Sequence, residues 1–498
     1  MRRELVLVLL MIGALTLAAE EAKPRKAVPP VVRVSVGQSE SASDGSVRVT
    51  LVDKRQNFSM AESMAQYRDS AINSPKSVNI HPDGKKYYVN SLEGCKTVVY
   101  DLATNKRLKV IEHRIGPEQA SLWAPTGDLF RFTHYEGGER RPFRGKPVES
   151  TFSHGGRYLW VPYYRRDFDL NAQDPSAVAV IDTRSDEIIR LFATGPLPKM
   201  IECSHDGRTI AVTHWGNNTV GLIDITGQKP EQWKYITNIG TPTPLPLNFS
   251  LTQPVNRDSH SGLLLRGTVF TPDDRYLLVS SMSGGGIRVI DVAARKYLGA
   301  LTGCNNPRHL VIKDDYLYLS CNVLGTVQRC PLSRILDAIA TLDGGTASVS
   351  GWETCKVGGG ARTLSLSPSG RFAFVACNSA SKLCVIDTRK MAVVTQIDVD
   401  SYPVGLDLSD DGSIAIVTSQ GREGSGGNAV NIYRVEYAEP EPVIETPAEE
   451  CTQPEGDDAQ ATVASGRLNI WLIVTGIAAI LLVALLAAIL SRRRSRKH

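Results

Sequence analysis

The chain has 498 residues, of which 42% are hydrophobic and 22% charged, with 42 glycines and 27 prolines. This composition is ordinary for a folded protein and excludes a mostly disordered chain, a collagen and a transporter with many membrane spans. The formal net charge is +4, from 56 basic and 52 acidic residues, and so small an excess gives no overall field that favours nucleic acid as a partner.

The N-terminus has the pattern of a secretory signal peptide. Arg2 and Arg3 precede an apolar run from Leu5 to Leu17, and the small residues Ala18 and Ala19 follow. A short basic segment, an apolar stretch too short to anchor in a bilayer and a small-residue site are typical of a cleaved leader. We therefore expect residues 1–19 to be a signal peptide and residues 20–44 to be an N-terminal extension.

Residues 45–437 are built from a repeat. A short apolar strand precedes a turn of the Pro-Asp-Gly kind, a second apolar strand, a loop and a third strand that ends near Ile-Asp, as in VAVIDTRSDE (178–187). The turn and second strand recur as HPDGKKYYVN (81–90), SHGGRYLWVP (153–162), SHDGRTIAVT (204–213), TPDDRYLLVS (271–280), IKDDYLYLS (312–320), SPSGRFAFVA (367–376) and SDDGSIAIVT (409–418). Apolar residues close to period two between turn signals predict strands, and such units bury their faces by stacking radially.

The sequence therefore predicts an all-β, seven-bladed β-propeller. The last unit has three clear strands, and VRVTLVD (47–53) is the best candidate for its fourth strand, because that pairing would close the ring and protect two edges. The segment WAPTGDLFRFTH (123–134) resembles half a unit. We interpret it as an insertion, and a ring of eight blades is the alternative.

The C-terminal residues predict a tether, one membrane span and a basic tail. Residues 438–467 are acidic and rich in proline, which is typical of an extended tether. Residues 468–490 contain no charge and are long enough to cross a bilayer as one helix. Residues 491–498 are strongly basic, so we expect them in the cytoplasm and the propeller outside, in the periplasm or at the cell surface.

The repeated turn, strand and Ile-Asp signatures resemble those of the YVTN-type seven-bladed propellers, close to the YncE-type proteins of bacteria, across roughly residues 45–437. The resemblance implies the fold and a bacterial source. It does not specify the function, because this superfamily includes binding modules and has lactonases and metal or haem enzymes among its relatives.

Cations occupy equivalent positions at the start of five first strands. They are Lys76, Lys199, Arg266, Arg308 and Arg362. Because the first strand of a propeller blade lines the central channel, we expect these side chains at one mouth of that channel. Crowded cations need counter-charges, which salt bridges between blades or an anionic ligand would supply. Both alternatives stay open at this point.

Aromatic and basic residues in the loops of the same face predict a recognition surface. We assign Tyr163, Tyr164, Arg165, Arg166 and Trp215 to it as candidate binding residues, although the aromatic ones could equally pack the loops onto the ring.

Two further patterns concern a metal and disulfides. Asp167, Asp169, Asn171 and Asp174 have a spacing similar to that of calcium ligands but lack the glycine and late glutamate of an EF-hand loop, so a Ca²⁺ site is a minor alternative to a solvated insertion. No other cofactor is predicted, since haem-attachment and zinc-ribbon cysteine patterns do not occur in the sequence. The candidate disulfides join Cys377 to Cys384, which flank a hairpin loop, and Cys304 to Cys355.

Two functions fit these features. The first is a membrane-anchored binding or scaffolding module that takes a protein or a small anionic ligand through the loop-rich face and the basic channel mouth, without catalysis and without nucleic acid. The second is a lactonase-like propeller hydrolase with a metal in the channel, which would need inward carboxylates where the sequence has Lys and Arg.

Overall fold

The computed structural model describes residues 31–58, 62–125, 129–132, 134–241, 255–421 and 427–442. These residues form seven separate β-sheets, which we number blades 1 to 7 in the order of their innermost strands. The innermost strand of each blade contacts that of a neighbouring blade, and the innermost strand of blade 7 contacts that of blade 1. The chain is thus an all-β, seven-bladed β-propeller, as the repeats predict.

Blades 1 to 3 follow two strands that precede the first repeat. Those strands are β1 (Ser39–Ser41) and β2 (Val47–Gln56). Blade 1 consists of β3 (Pro75–Ile80), β4 (Lys86–Ser91), β5 (Lys96–Asp101) and β6 (Arg107–Glu112). Blade 2 consists of β7 (Arg114–Ile115), β8 (Phe143–Pro147), β9 (Thr151–Ser153), β10 (Tyr158–Arg166), β11 (Ser176–Asp182) and β12 (Glu187–Thr194). Blade 3 consists of β13 (Pro198–Cys203), β14 (Thr209–His214), β15 (Thr219–Asp224) and β16 (Lys234–Gly240).

Blades 4 to 7 complete the ring. Blade 4 consists of β17 (Leu265–Phe270), β18 (Tyr276–Ser281), β19 (Ile287–Asp291), β20 (Lys296–Thr302) and the parallel strand β24 (Thr346–Ser348). Blade 5 consists of β21 (His309–Lys313), β22 (Tyr316–Cys321), β23 (Thr326–Pro331) and β25 (Glu353–Lys356), with helix α1 (Leu332–Ile339) after β23. Blade 6 consists of β26 (Ala361–Leu366), β27 (Phe372–Cys377), β28 (Lys382–Asp387) and β29 (Ala392–Asp398). Blade 7 contains β30 (Pro403–Leu408), β31 (Ile414–Ser419) and β32 (Ala429–Tyr437).

Short 3₁₀ turns lie between the strands. They are Glu62–Tyr67, Pro117–Leu122, Gly138–Arg140 and Pro230–Gln232.

The ring closes where the two ends of the repeat region meet. Strand β2 pairs antiparallel with β32, from Val47 opposite Tyr437 to Gln56 opposite Ala429, and β1 adds to the outer edge of β2. Joining an early strand to the last blade removes the open edges of the sheet. The prediction that residues 47–53 supply the missing strand is confirmed.

The turn between the first and second strands explains the repeated glycine. In blade 1 the backbone N–H of Gly84 donates to the carbonyl of His81 at 2.9 Å, and Gly84 has a φ of +67°. Glycine adopts this left-handed conformation without a steric penalty. In blade 4 Asp274 holds the equivalent position with a φ of +55°.

The hydrophobic core lies between the blades. One cluster joins Ile80 and Tyr87 of blade 1 to Ile416 and Val430 of blade 7. The second strands are buried on both faces because each is covered by the two neighbouring blades, as in Phe372–Cys377, where every residue is buried. Packing between blades therefore fixes the radius of the ring and the positions of the innermost strands.

The segment 123–134 is an insertion within blade 2. Its described residues form no strand, and Trp123 makes a single isolated bridge to Leu191. The insertion packs on blades 2 and 3, where the ring of Phe130 contacts that of Tyr235. It adds no eighth blade.

The predicted signal peptide, membrane span and basic tail lie outside the described residues, as does most of the tether. Among the residues that are described, no helix is both long enough and apolar enough to cross a membrane.

Candidate functional site

Four of the five predicted cations share one position in the fold. Lys76, Lys199, Arg266 and Arg362 are each the second residue of an innermost strand. In all four blades the pairing with the second strand shifts register at this point, as between Pro75 and Val78 in blade 1. A β-bulge bends the strand and changes the direction of a side chain. The bulges therefore contribute to setting where these cations lie.

The fifth cation, Arg308, directly precedes β21. Its backbone N–H donates to the carbonyl of Ser320 at 2.8 Å, and its own carbonyl accepts from Gly267 of blade 4 at 2.9 Å. The backbone of Arg308 is thus fixed by its own blade and by the preceding one.

Polar residues on the second strands hold the ring together. The fifth residue of the strand donates a side-chain hydrogen bond to a carbonyl of the next blade, next to the channel. The pairs are Asn90 to Glu149, Ser280 to Arg308, Ser320 to Arg362 and Thr418 to Lys76. In three of these pairs the acceptor belongs to a channel cation. The polar residue that ends the repeated motif therefore connects adjacent blades at the site.

The five cations interact with one another and with few carboxylates. Arg266 forms an ion pair with Glu149 at 3.2 Å, and Lys199 lies 3.6 Å from Asp258. The side chain of Arg362 hydrogen-bonds with Tyr402, and Nη1 of Arg308 lies 3.5 Å from Sδ of Met282. Across the described ranges, Lys76, Arg308 and Arg362 have no carboxylate within ion-pair distance.

Burial and mutual repulsion lower the pKa of Lys76, Arg308 and Arg362. Burial lowers the pKa of Lys76 well below its ordinary value, and the charges of Arg362 and Arg266 lower it further. Burial also lowers the pKa of Arg308, and repulsion from Arg362 and Arg266 lowers it further. Burial lowers the pKa of Arg362 to about 10. Lowered pKa values of this kind are expected in a cluster with excess positive charge and little hydration.

Three of the five cations line a small cavity. It is lined by Glu149, Met200, Arg266, Arg308, His309, Arg362 and Thr363, and its volume is about 10 Å³. This is the space of about one water molecule. Burial lowers the pKa of His309 to about 4, and the charges of Arg266 and Arg308 add to the effect, so its ring is neutral near pH 7.

The end of β10, the turn after β14 and the segment before blade 4 form one side of the mouth. The ammonium of Lys199 lies 3.9 Å from the ring centroid of Tyr164 and 4.6 Å from that of Trp215. Asp258 accepts hydrogen bonds from Tyr164 and Arg165. Three predicted binding residues, Tyr164, Arg165 and Trp215, are therefore at the mouth, where they hold Lys199 and Asp258 in place.

The assignment of Tyr163 and Arg166 to the recognition surface is wrong. Tyr163 is fully buried, hydrogen-bonds with the ring of His113 at 3.0 Å and packs on Phe143. Arg166 is also buried, with its guanidinium over the rings of Phe132 and Phe143. The physical reason is that β10 continues past the repeat to pair with β8, which places both residues inside blade 2.

The acidic loop of blade 2 uses its carboxylates locally. Asp169 accepts hydrogen bonds from the backbone of Gln173 and Asp174. Asp174 accepts from the backbone of His134 and Tyr135, Asp167 accepts from that of Arg144, and the carbonyl of Asn171 accepts from Arg257. No group of three or more His, Cys, Asp or Glu side chains suited to a metal occurs among the residues described. A Ca²⁺ site at this loop stays a prediction.

Six of the eight described cysteines form two groups. Sγ of Cys377 and Sγ of Cys384 lie 3.7 Å apart as thiols, and Cys355 belongs to the same core cluster between blades 5 and 6. Cys304 packs against a different cluster, which contains Cys321 and Cys330. The structure therefore brings together the first candidate disulfide pair and places Cys304 and Cys355 in different clusters.

Four residues of the site were not predicted from the sequence. Glu149, Asp258, His309 and Tyr402 all contribute charge or hydrogen bonds near the cavity. Glu149 lies one residue after the position of blade 2 that aligns with the cations, so inspecting neighbouring positions could have found it. Asp258 lies in an irregular insertion, where no repeat alignment applies.

Comparison with known proteins finds solved structures that are similar to this chain at low sequence identity. The chain is similar to a chain of hydrazine synthase from Kuenenia stuttgartiensis, with a TM-score of 0.51 and 15% identity over 73% of this chain and 96% of that chain. It is also similar to the β-propeller domain of Cps50 (Swd1) from Myceliophteria thermophila, with a TM-score of 0.49 and 12% identity over 77% of this chain and all of that domain. No protein-family model matches the sequence, and neither does any curated protein.

Proposed function

We propose that this chain is a binding or scaffolding module of the YVTN type that takes an anionic ligand, or an anionic group of a protein partner, at the basic mouth of its channel. The observation that carries the proposal is that Arg266, Arg308 and Arg362 line one cavity, in which Glu149 forms an ion pair with Arg266, while the charge of Lys76 interacts with all three arginines. Guanidinium groups match carboxylate and phosphate geometry, and buried positive charge favours an anionic partner.

The loops around the mouth supply a contact surface for a larger partner. Tyr164 and Trp215 are rigid aromatic side chains beside Lys199, and aromatic and arginine residues are enriched at the centres of protein interfaces. Arg165 and Asp258 add a polar rim of both charges. An anionic group of the partner would reach the cations, and the partner's surface around that group would contact the segments that carry Tyr164, Arg165 and Trp215.

The cellular setting of the proposal comes from the sequence. The apolar run at the N-terminus, the uncharged stretch 468–490 and the basic residues after it support export and anchoring by one C-terminal helix, with the propeller outside the cytoplasm. This setting is that of a receptor or scaffold held at a bacterial membrane.

The hydrolase alternative receives less support from the site. A catalytic metal in the channel needs carboxylate or imidazole ligands that face it. At the mouth the corresponding positions carry cations, and the carboxylate of Glu149 is bound to Arg266. The cations would repel a divalent ion there.

The experiment compares binding by the purified full-length chain and two variants. Titration calorimetry would use citrate, inorganic phosphate and an oligoglutamate peptide as probes. The test variant is Arg362→Gln combined with Lys76→Gln. The charge-matched control is Arg329→Gln combined with Lys382→Gln. These two control residues form ion pairs with Glu353 and Asp398, on the outer strands of blades 5 and 6.

We expect at least one probe to bind the unaltered chain and the control equally well, and to bind the test variant at least about tenfold more weakly, the equivalent of about 1.4 kcal/mol. Equal binding to all three proteins, or binding of none of the probes, would refute the basic mouth as the recognition site. Hydrolysis of a lactone by the unaltered chain that is lost on chelation of metal would favour the hydrolase instead.

A further inference from the structure

We infer that the cavity at the channel mouth holds one small inorganic anion of halide size, bound as a permanent counter-ion of the cation ring. This inference deepens the proposed function, because it concerns the same basic mouth, but it rests on the buried charges and not on any partner. A buried anion would form the floor of the site, and a larger ligand or partner would bind above it.

The charges near the cavity do not balance. The side chains of Lys76, Arg266, Arg308 and Arg362 interact electrostatically, the three arginines line the cavity, and Glu149 is the carboxylate that interacts with all four. If Lys76 loses its proton, the cluster still has three positively charged guanidinium groups and one negatively charged carboxylate. Buried charges are found paired in folded proteins, because desolvation of an unpaired ion costs several kcal/mol. The cluster therefore lacks negative charge.

A donor at the cavity has no acceptor. Nε of Arg308 is buried without a hydrogen-bond partner, and Arg308 lines the cavity. Lys76 is half-buried and lies outside that lining, and in the described part of the chain its ammonium makes neither a hydrogen bond nor an ion pair. An unpaired buried donor is unfavourable, and more so when it is charged. An anion in the cavity is the acceptor that Arg308 needs.

The neighbouring carboxylates are engaged elsewhere. Glu149 accepts from Arg266, and Asp258 is shared among Lys199, Tyr164 and Arg165. The cation that Asp258 neutralises, Lys199, is further held by the faces of two aromatic rings. Among the described residues, neither carboxylate is therefore hydrogen-bonded to Arg308.

The volume selects the class of anion. A cavity of about 10 Å³ accommodates about one water-sized species, which a halide ion resembles and a phosphate or citrate ion exceeds. Guanidinium groups are weakly hydrated and offer several N–H donors to an anion. We therefore assign a halide, with chloride as the probe.

The test measures ³⁵Cl NMR line broadening of the full-length chain in detergent, in a gluconate buffer titrated with chloride at constant ionic strength. The test variants are Arg308→Gln and Arg362→Gln, and the charge-matched control is Arg329→Gln, which lies outside the cavity. A parallel measurement follows Tm against chloride concentration, because a ligand that binds only the folded state raises stability with its concentration.

We expect saturable broadening that bromide suppresses and sulfate does not, together with a rise in Tm with chloride. Both effects should be retained in Arg329→Gln and lost in the two cavity variants, which we expect to fold because each removes a buried repelling charge. Broadening that does not saturate, that sulfate suppresses as well as bromide does, or that persists in both cavity variants would overturn the inference.

The outcome can be separated from that of the proposed function. Binding of citrate, phosphate or oligoglutamate is measured at fixed chloride. Chloride binding without binding of these probes would refute only the proposed function, and binding of the probes without chloride binding would refute only this inference.

Discussion

Lys54 and Asp400 form a fully buried ion pair, with Nζ of Lys54 2.7 Å from Oδ2 of Asp400. Lys54 lies in β2, the strand that closes the ring, and Asp400 lies in the connection between blades 6 and 7. The pair is also hydrogen-bonded to Asn431 of β32 and to the backbone of Val34. The residues that close the ring are thus tied to the last two blades by charge as well as by strand pairing.

Removing one partner of this pair should strongly destabilise the propeller. Lys54→Met leaves the carboxylate of Asp400 buried without its cation, and breaking a buried ion pair in this way costs about 3–5 kcal/mol. The free energy of unfolding in urea measures the effect. The matched control is Lys382→Met, because Lys382 pairs with Asp398 at a partly exposed position and should cost less than about 1 kcal/mol. Similar losses for the two variants would contradict this account of ring closure.

Two arginines of the channel should respond in opposite ways to the same substitution. Arg266→Gln removes the ion-pair partner of Glu149 and should lower the free energy of unfolding by about 1–3 kcal/mol. Arg308→Gln removes a cation that is repelled by Arg362 and Arg266, so it should leave stability unchanged or raise it. Urea unfolding in a gluconate buffer without halide measures both. A clear loss for Arg308→Gln would show that its charge is compensated in the free protein.

Glu202 should make stability depend on pH. It lies on the innermost strand of blade 3, and burial raises its pKa to about 8, whereas the ordinary value is 4.5. Between these two values the folded chain keeps a proton that the unfolded chain has lost. Its contribution to stability is therefore complete below about pH 4.5 and decreases as the pH rises to about 8, by at most about 1.4 kcal/mol per pH unit.

Glu202→Gln should remove this part of the pH dependence. Unfolding in urea at about pH 5.5, 7 and 8.5 compares the variant with the unaltered chain, and the variant should gain relative stability at each step up to about pH 8. A difference in stability that is constant over this range would mean that the carboxyl group is already ionised in the folded state.

The thiols of Cys377 and Cys384 should be linked on oxidation. They lie on neighbouring strands of blade 6 with 3.7 Å between their Sγ atoms, while Cys304 belongs to another cluster. Treatment of the full-length chain with diamide, followed by peptide mapping with mass spectrometry, should identify a Cys377–Cys384 link. A peptide that joins Cys304 to Cys355 would instead restore the second of the two predicted pairings.

The fold was accessible from the sequence because it is repeated. Seven copies of a turn and a strand define seven blades, and a lone strand before the first copy has one open edge to join, which is why the role of residues 47–53 could be predicted. The cations were found by alignment for the same reason: Lys76, Lys199, Arg266 and Arg362 hold equivalent positions in equivalent strands.

The rest of the site depends on departures from the repeat. Blade 2 continues β10 past the usual end and buries Tyr163 and Arg166, and nothing in the motif signals that extension. Asp258 reaches the mouth from an insertion, and its ion pair with Lys199 spans fifty-nine positions of the sequence (258 − 199). Tertiary contacts of this kind follow from packing and not from local patterns.

We propose that Arg266, Arg308 and Arg362, at the start of three innermost strands, surround one anion in the cavity. Diffraction from crystals of the full-length chain grown in bromide, recorded at the bromine absorption edge, tests it most directly. The account predicts an anomalous peak in the cavity bounded by Arg266, Arg308 and Arg362. Guanidinium groups extended into bulk solvent, with no peak among them, would contradict it.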